Sequence, residues 1–132
     1  MNIDDIAQID ESFLHLRHPV TDELLYTSDK KPLGIHLSST ESEDYKRVER
    51  KFTNQSLKAG STKKLTAEKL ESRSIELLSA ATTGWTLEGK DGPIKFSKDA
   101  AVTVYAERPW IKKQVTEHLY DDANFLQGVL AA

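Results

Sequence analysis

The sequence predicts an α+β fold, mainly α: a small N-terminal antiparallel β-sheet or hairpin followed by about four helices. Three observations lead there. Leu33, Ile35 and Leu37 alternate with Gly34 and His36, the period-two spacing of a half-buried strand. Beyond residue 40, apolar residues recur every three or four positions in charged segments, as amphipathic helices require. Gly60-Ser61-Thr62, Gly84, Asp91-Gly92-Pro93 and Pro109 punctuate those segments into separate elements. With 132 residues the chain is expected to be one domain, residues 1 to 132. Residues 1 to 11 are read as an arm and 127 to 132 as a tail, both mobile unless a partner orders them. A domain of this size buries roughly two thirds of its unfolded surface, so one modest core is feasible.

Each element has its own warrant. Residues 1 to 11 are acidic, with Ile3, Ile6 and Ile9 three apart, which suits a short helix or an arm that orders against a partner. Phe13 to Arg17 read as a strand, and His18-Pro19-Val20-Thr21-Asp22-Glu23 as a turn. Lys30-Lys31-Pro32 marks a second turn and a sheet edge. If Leu14, Leu16, Ile35 and Leu37 face the core, His15 and His36 face water. Residues 40 to 58 form the first long helix, capped by Thr40 with Glu43 or by Ser42. Its apolar stripe is Tyr45, Val48 and Phe52.

Thr66 caps a second helix, the most apolar segment of the chain. Leu70, Ile75, Leu77, Leu78, Ala81 and Trp85 mark its buried side, and Gly84 its C-terminal stop. In the turn-rich insert 86 to 96, Ile94 and Phe96 lie on one side of an extended piece that covers the helices. Ser97 caps a helix through Val102, Val104 and Tyr105. Pro109 suits the first turn of the last helix, where its missing N–H has no partner to lose. That helix turns Ile111, Val115 and Leu119 inward, with Trp110 and His118. Phe125, Leu126, Val129 and Leu130 form a polar-poor tail expected to fold back or join an interface. The expected core is Leu77, Leu78, Ala81, Trp85, Ile111, Val115 and Leu119.

Composition narrows the function. Apolar residues make up 38% and charged residues 30%, too apolar for disorder, and ten aromatics supply bulk. No cysteine is present, which removes disulfides and thiolate metal sites and fits a reducing cytosol. No apolar run approaches a membrane span, and the acidic opening MNIDDIAQID predicts no secretory or transit signal. Charge is uneven: residues 1 to 45 hold ten acids and three bases, a net of −7. Residues 46 to 73 hold nine bases and three acids, a net of +6. That basic stretch reads as a solvated face, a nucleic-acid surface or a patch for a second copy. No aromatic interleaves with Lys58, Lys63, Lys64 and Lys69, which weighs against nucleic acid.

Catalytic constellations are missing, so no enzyme, cofactor or metal is expected. His15, His18 and His36 could meet across the sheet, but no acid stands at ligand spacing with them. Asp4-Asp5 and Asp121-Asp122 are paired only in sequence and read as helix-end charges. Ser38-Ser39-Thr40 is capping chemistry without a nucleophile elbow. The glycines make neither a Walker loop nor a dinucleotide fingerprint. Trp85 and Trp110, both at helix ends, read as core ahead of a ligand pocket.

Two stretches nevertheless have a recognisable order. In residues 70 to 126 a Leu-rich helix ends in Thr-Gly-Trp, a loop gives Pro-Ile-Lys-Phe-Ser, a helix ends Tyr-Ala-Glu-Arg-Pro-Trp-Ile, and Asn-Phe-Leu closes. In residues 14 to 45, Leu-Arg-His-Pro-Val-Thr-Asp-Glu is followed by Leu-Gly-Ile-His-Leu and Ser-Thr-Glu-Ser-Glu-Asp-Tyr. This order resembles the small tail assembly chaperones of long, non-contractile-tailed phages, the lambda-like tail assembly protein G family. The resemblance implies a non-enzymatic chaperone that coats the tape measure protein until tail tube subunits replace it. It also implies partners: the tape measure protein, the tail tube protein and a frameshift-extended form of the chain itself. It implies a homo-oligomer or open helical assembly in the host cell cytoplasm, absent from the mature virion. The alternative reading is a nucleic-acid-binding or regulatory adaptor using residues 46 to 73. The candidate self-association or partner surface comprises Ile3, Ile6, Ile9, Arg47, Arg50, Lys51, Val129 and Leu130.

Overall fold

The computed structural model describes residues 2–59 and 66–127. Its order is a short 3₁₀ turn (Ile3–Asp5), β1 (Ala7–Gln8), β2 (Glu11–His15), β3 (Gly34–Ser38), α1 (Glu43–Ala59) and α2 (Ala67–Ala81). Then come β4 (Thr82–Thr86), a small β5–β6 hairpin (Glu88–Gly89, Gly92–Pro93), α3 (Lys98–Glu107) and α4 (Pro109–Leu119). A 3₁₀ turn (Asp122–Phe125) and β7 (Leu126–Gln127) follow. The expected α+β class with an N-terminal antiparallel sheet and four helices is therefore what the described residues adopt.

The central sheet has the order β2-β3-β4, antiparallel throughout. Leu14 pairs with Ile35, and Ile35 with Trp85, so these three share the inner face with Leu16 and Leu37. Residues 17–33 form two bridged turns, Arg17 opposite Leu24 and Tyr26 opposite Pro32. Asp22 and Lys30 adopt positive φ there, as tight turns often demand. Gly34 is required by close approach. A Cβ there would sit 2.3 Å from both the Leu14 carbonyl oxygen and the Phe13 ring.

The helices begin where capping chemistry directs. Thr66 Oγ1 accepts from Lys69 N–H, and Ser97 Oγ from Ala100 N–H. Pro109 opens α4. α1 starts at Glu43, with Ser42 rather than Thr40 as its cap, since Ser42 Oγ receives Tyr45 N–H at 3.4 Å. The core joins Leu16, Ile35, Leu37, Leu78, Ala81, Ala101, Val104, Tyr105, Ile111, Val115, Leu119 and Phe125.

Three expectations are corrected. The second helix stops at Ala81, and Thr82–Thr86 cross to β3 as a strand, so Gly84 is not a helix stop and Trp85 not a helix residue. β-branched Thr82 and Thr83 prefer extended backbone, and the open edge of β3 supplies ladder partners. Leu77 and Trp85 are only partly buried against the core, and Leu70 is exposed. Finally, residues 1 to 11 are helical only over the short 3₁₀ turn Ile3–Asp5, and the stretch after it is tied into the fold. β1 pairs with β7, and Ile9 N–H donates to the Phe125 carbonyl at 2.8 Å. The period of three in Ile3, Ile6 and Ile9 was coincidental, because each isoleucine falls in a different local conformation.

Candidate functional site

Three features of the surface have enough chemistry to act. The first is the outer face of the central sheet. Phe13 stands opposite His36 with ring centroids 4.8 Å apart, and His15 meets Tyr26 edge-on at 5.0 Å. Gly34, Gly84 and Thr86 keep the rest of this face low. Phe13 is 37% and Tyr26 55% exposed, so an aromatic platform faces solvent. Its histidines are oriented by partners. His15 Nε2–H donates to the Leu25 carbonyl at 2.7 Å, and His36 Nδ1 lies 3.3 Å from Glu11. The sequence places His15 and His36 on this face. Phe13 was overlooked, although its parity with His15 required the same side.

The second feature is an apolar groove between the C-terminal half of α1 and the middle of α2. Phe52, Leu57 and Leu77 line it, with Leu57 75% exposed. Lys51 Nζ lies 5.0 Å and the Arg73 guanidinium 4.9 Å from the Phe52 ring centroid, a cation on the ring from each helix. Arg73 also donates to Ser56 Oγ at 3.3 Å.

The third feature is an open cleft of about 490 Å³ between the turn at His18 and α4, lined by Arg17, His18, Trp110, Gln114, Glu117 and His118 among others. Gln114 clamps its wall, accepting from Arg17 N–H at 2.9 Å and donating to the Arg17 carbonyl at 2.8 Å. Ser12 Oγ lies 2.8 Å from His118 Nε2, a pairing across 106 residues that sequence spacing could not reveal. Ser12 does not line the cleft, so this dyad is a tie between β2 and α4 rather than a nucleophile facing a ligand. Burial holds the His118 pKa below its ordinary value, against an opposing pull from Asp121.

The remaining expected residues are accounted for as follows. His18 Nδ1 accepts from Val20 and Thr21 N–H, which shapes its turn and separates it from His15 and His36. Among the described residues, no group of three or more His, Asp or Glu is arranged to hold a metal ion. Asp5 closes a capping box with Asn2, and Asp121 receives Ala123 N–H. Trp85 Nε1–H donates to the Ile94 carbonyl and its ring meets Phe96 edge-on, so Trp85 pins the insert to the sheet.

Of the candidate surface residues, Ile3 is 89% and Ile6 38% exposed, while Ile9 packs partly into the core. Arg47 pairs with Asp44 at 2.7 Å and Lys51 with Glu76. Lys46 pairs with Glu41 at 2.7 Å. Lys46, Arg47 and Lys51 thus each have an acidic partner within the chain, while all three side chains keep substantial exposure. Arg50 is exposed. Val129 and Leu130 lie outside the described residues.

Among described titratable groups the largest perturbations are structural. Tyr105 is pushed up to about 12, first by burial, and its hydroxyl meets Thr82 Oγ1 at 2.7 Å. Thr82 Oγ1 donates onward to the Leu78 carbonyl, so Tyr105 supplies the proton of the first bond. Lys98 Nζ donates to the carbonyls of Ser79, Ala80 and Thr82 at 3.2, 2.9 and 2.7 Å, closing the end of α2. Burial lowers the Lys98 pKa, partly offset by Asp44. Comparison with family models, curated proteins and solved structures finds no match to this chain.

Proposed function

We propose that this chain is a non-enzymatic phage tail assembly chaperone. It holds the apolar helical surface of the tape measure protein, associates with itself and its frameshift-extended form along that client, and gives way to tail tube subunits. Its place of action is the host cell cytoplasm. One observation carries the client-binding part: exposed Phe13 and Tyr26 gather with His15 and His36 on one uncovered sheet face. Single exposed apolar side chains are ordinary, and antiparallel sheets often keep one face wet. A ring cluster beside two glycines is different, because it offers a flat platform on which an amphipathic helix can bury its apolar stripe. The order of motifs that resembles the chaperone family supports the same reading. The adaptor alternative is disfavoured by the internal pairing of Lys46, Arg47 and Lys51.

The test is capture of the tape measure protein from the same phage on immobilised chain. Wild type is expected to retain it, and Tyr26→Asp to weaken retention by roughly tenfold or more, as loss of an aromatic anchor does. Tyr26 is exposed enough for the fold to survive, which circular dichroism verifies. Failure of wild type to retain the client sinks the reading. A shift of short duplex or single-stranded nucleic acid in a gel, lost on Arg50→Glu, would favour the adaptor.

A further inference from the structure

We propose that the groove between α1 and α2 receives the N-terminal turn of a second copy, which links copies head to tail. This deepens the self-association in the function proposed above, but it stands on different residues from the client face. The donor element is Asn2–Ile6. Asn2 Oδ1 accepts from Asp4 N–H at 2.8 Å, and Asp5 Oδ2 from Asn2 N–H at 3.0 Å. That capping box holds Ile3 outward, 89% exposed, beside the exposed acids Asp4 and Asp5. A large aliphatic side chain presented on a rigid acidic turn loses little entropy when it docks.

The receiving element is its complement. Phe52, Leu57 and Leu77 give the groove an apolar floor, and Arg73 borders it. Arg50 shares the helix stripe of Leu57, seven residues on, and Lys58 and Lys69 lie on the same end of the hairpin. Glu49 is the one carboxylate in its lining. Ile3 would fill the floor while Asp4 and Asp5 meet Arg50 and Arg73. The occupant cannot be the chain's own turn. β1 is fastened to β7, and Gln8 lies with Ser39, Thr40 and Glu41 at the start of α1. Phe52 and Leu57 are ten and fifteen residues beyond the Ser42 cap, about 15 and 22 Å along the helix at ~1.5 Å per residue. Donor and receiver therefore sit at opposite ends of α1, so we take the contact as heterologous, and a pair of copies leaves one donor and one receiver unused.

Sedimentation velocity on the full chain tests this with two variants at exposed positions. Ile3→Asp spoils the donor, and Leu57→Glu the receiver. Wild type is expected to form concentration-dependent oligomers that loosen by on the order of tenfold in high salt, since exposed ion pairs are weak and screened. Each variant alone is expected to be monomeric. Mixed, they should form a one-to-one dimer and nothing larger, because one keeps a working donor and the other a working receiver. A wild-type monomer at high concentration in low salt overturns the proposal, as do variants that oligomerise normally or a mixture that fails to pair. Client capture separates the two readings. Capture by a chain that stays monomeric sinks only this proposal, and oligomers that ignore the client sink only the chaperone reading.

Discussion

α1 and α4 teach opposite lessons about what makes a helix part of a fold. α1 has 17 residues and buries only Tyr45 among its described side chains. α4 has 11 residues and buries Ile111, Val115 and Leu119 to 4%, 0% and 1% exposure. The longer helix is held by α2, by its flanking ion pairs and by one hydroxyl contact, Tyr45 to Tyr120 at 2.6 Å. The shorter one is clasped by α2, α3 and β3. Stability follows the apolar stripe a helix inserts between neighbours, not its length. The loosely held helix is also the one with spare apolar surface, so binding capacity and weak anchorage share a cause.

The largest expected effect sharpens this contrast. Leu119→Ala should cost ~2–5 kcal/mol, the range for emptying a well-packed site. Val48→Ala, in the partly exposed stripe of α1, should cost under about 1 kcal/mol. Urea denaturation of the two variants checks both, and equal losses would erase the distinction between the helices.

Gly34→Ala comes next. Its Cβ would strike the Leu14 carbonyl and the Phe13 ring, and relieving such overpacking costs about 1–3 kcal/mol. The Phe13 ring must also shift, so the substitution should weaken client capture beyond its effect on folding. A thermal melt with a capture assay reads both. An unchanged melting temperature would mean that β2 and β3 lie farther apart.

Lys98→Met removes the one side-chain donor, among the described residues, to the carbonyls of Ser79 and Ala80. Hydrogen bonds to a charged group are worth roughly 1.5–3 kcal/mol, and partial exposure should bring this loss to about 1–2 kcal/mol. Hydrogen exchange should show faster opening in the last turn of α2 while α4 stays protected. If only α4 changed, the link between Lys98 and the end of α2 would be refuted.

The smallest effect is a pH dependence. Burial lowers the folded His118 pKa below 6.5. Above 6.5 both states are neutral there and His118 adds no pH dependence. As pH falls below 6.5 the unfolded chain takes up the proton first, so stability declines until the lower folded value is passed. Denaturation midpoints from pH 7.5 down to 5 should show this decline, and His118→Gln should flatten it. A decline untouched by the substitution would assign it to other groups.

Local chemistry made much of the fold legible. Thr66 and Ser97 capped the helices expected of them, Pro109 opened α4, and the alternation around Ile35 became β3. These are interactions within a few residues, decided by backbone geometry that the side chains carry with them. The outer placement of His15 and His36 was legible for the same reason. Fates that depend on distant neighbours were not. Thr82–Trp85 continued an apolar helix in the sequence but became strand because the edge of β3 was there to pair with it. Ile3, Ile6 and Ile9 looked alike, yet only Ile9 reached the core, through a ladder with the chain's far end. Lys51 found its partner Glu76 twenty-five residues away on α2, a pairing no local spacing records. Sequence by itself determined where most elements start, because caps and periodicity act locally. Only tertiary structure decided which apolar side chains stayed outside, because burial depends on how many elements converge at a point, and no local pattern records that.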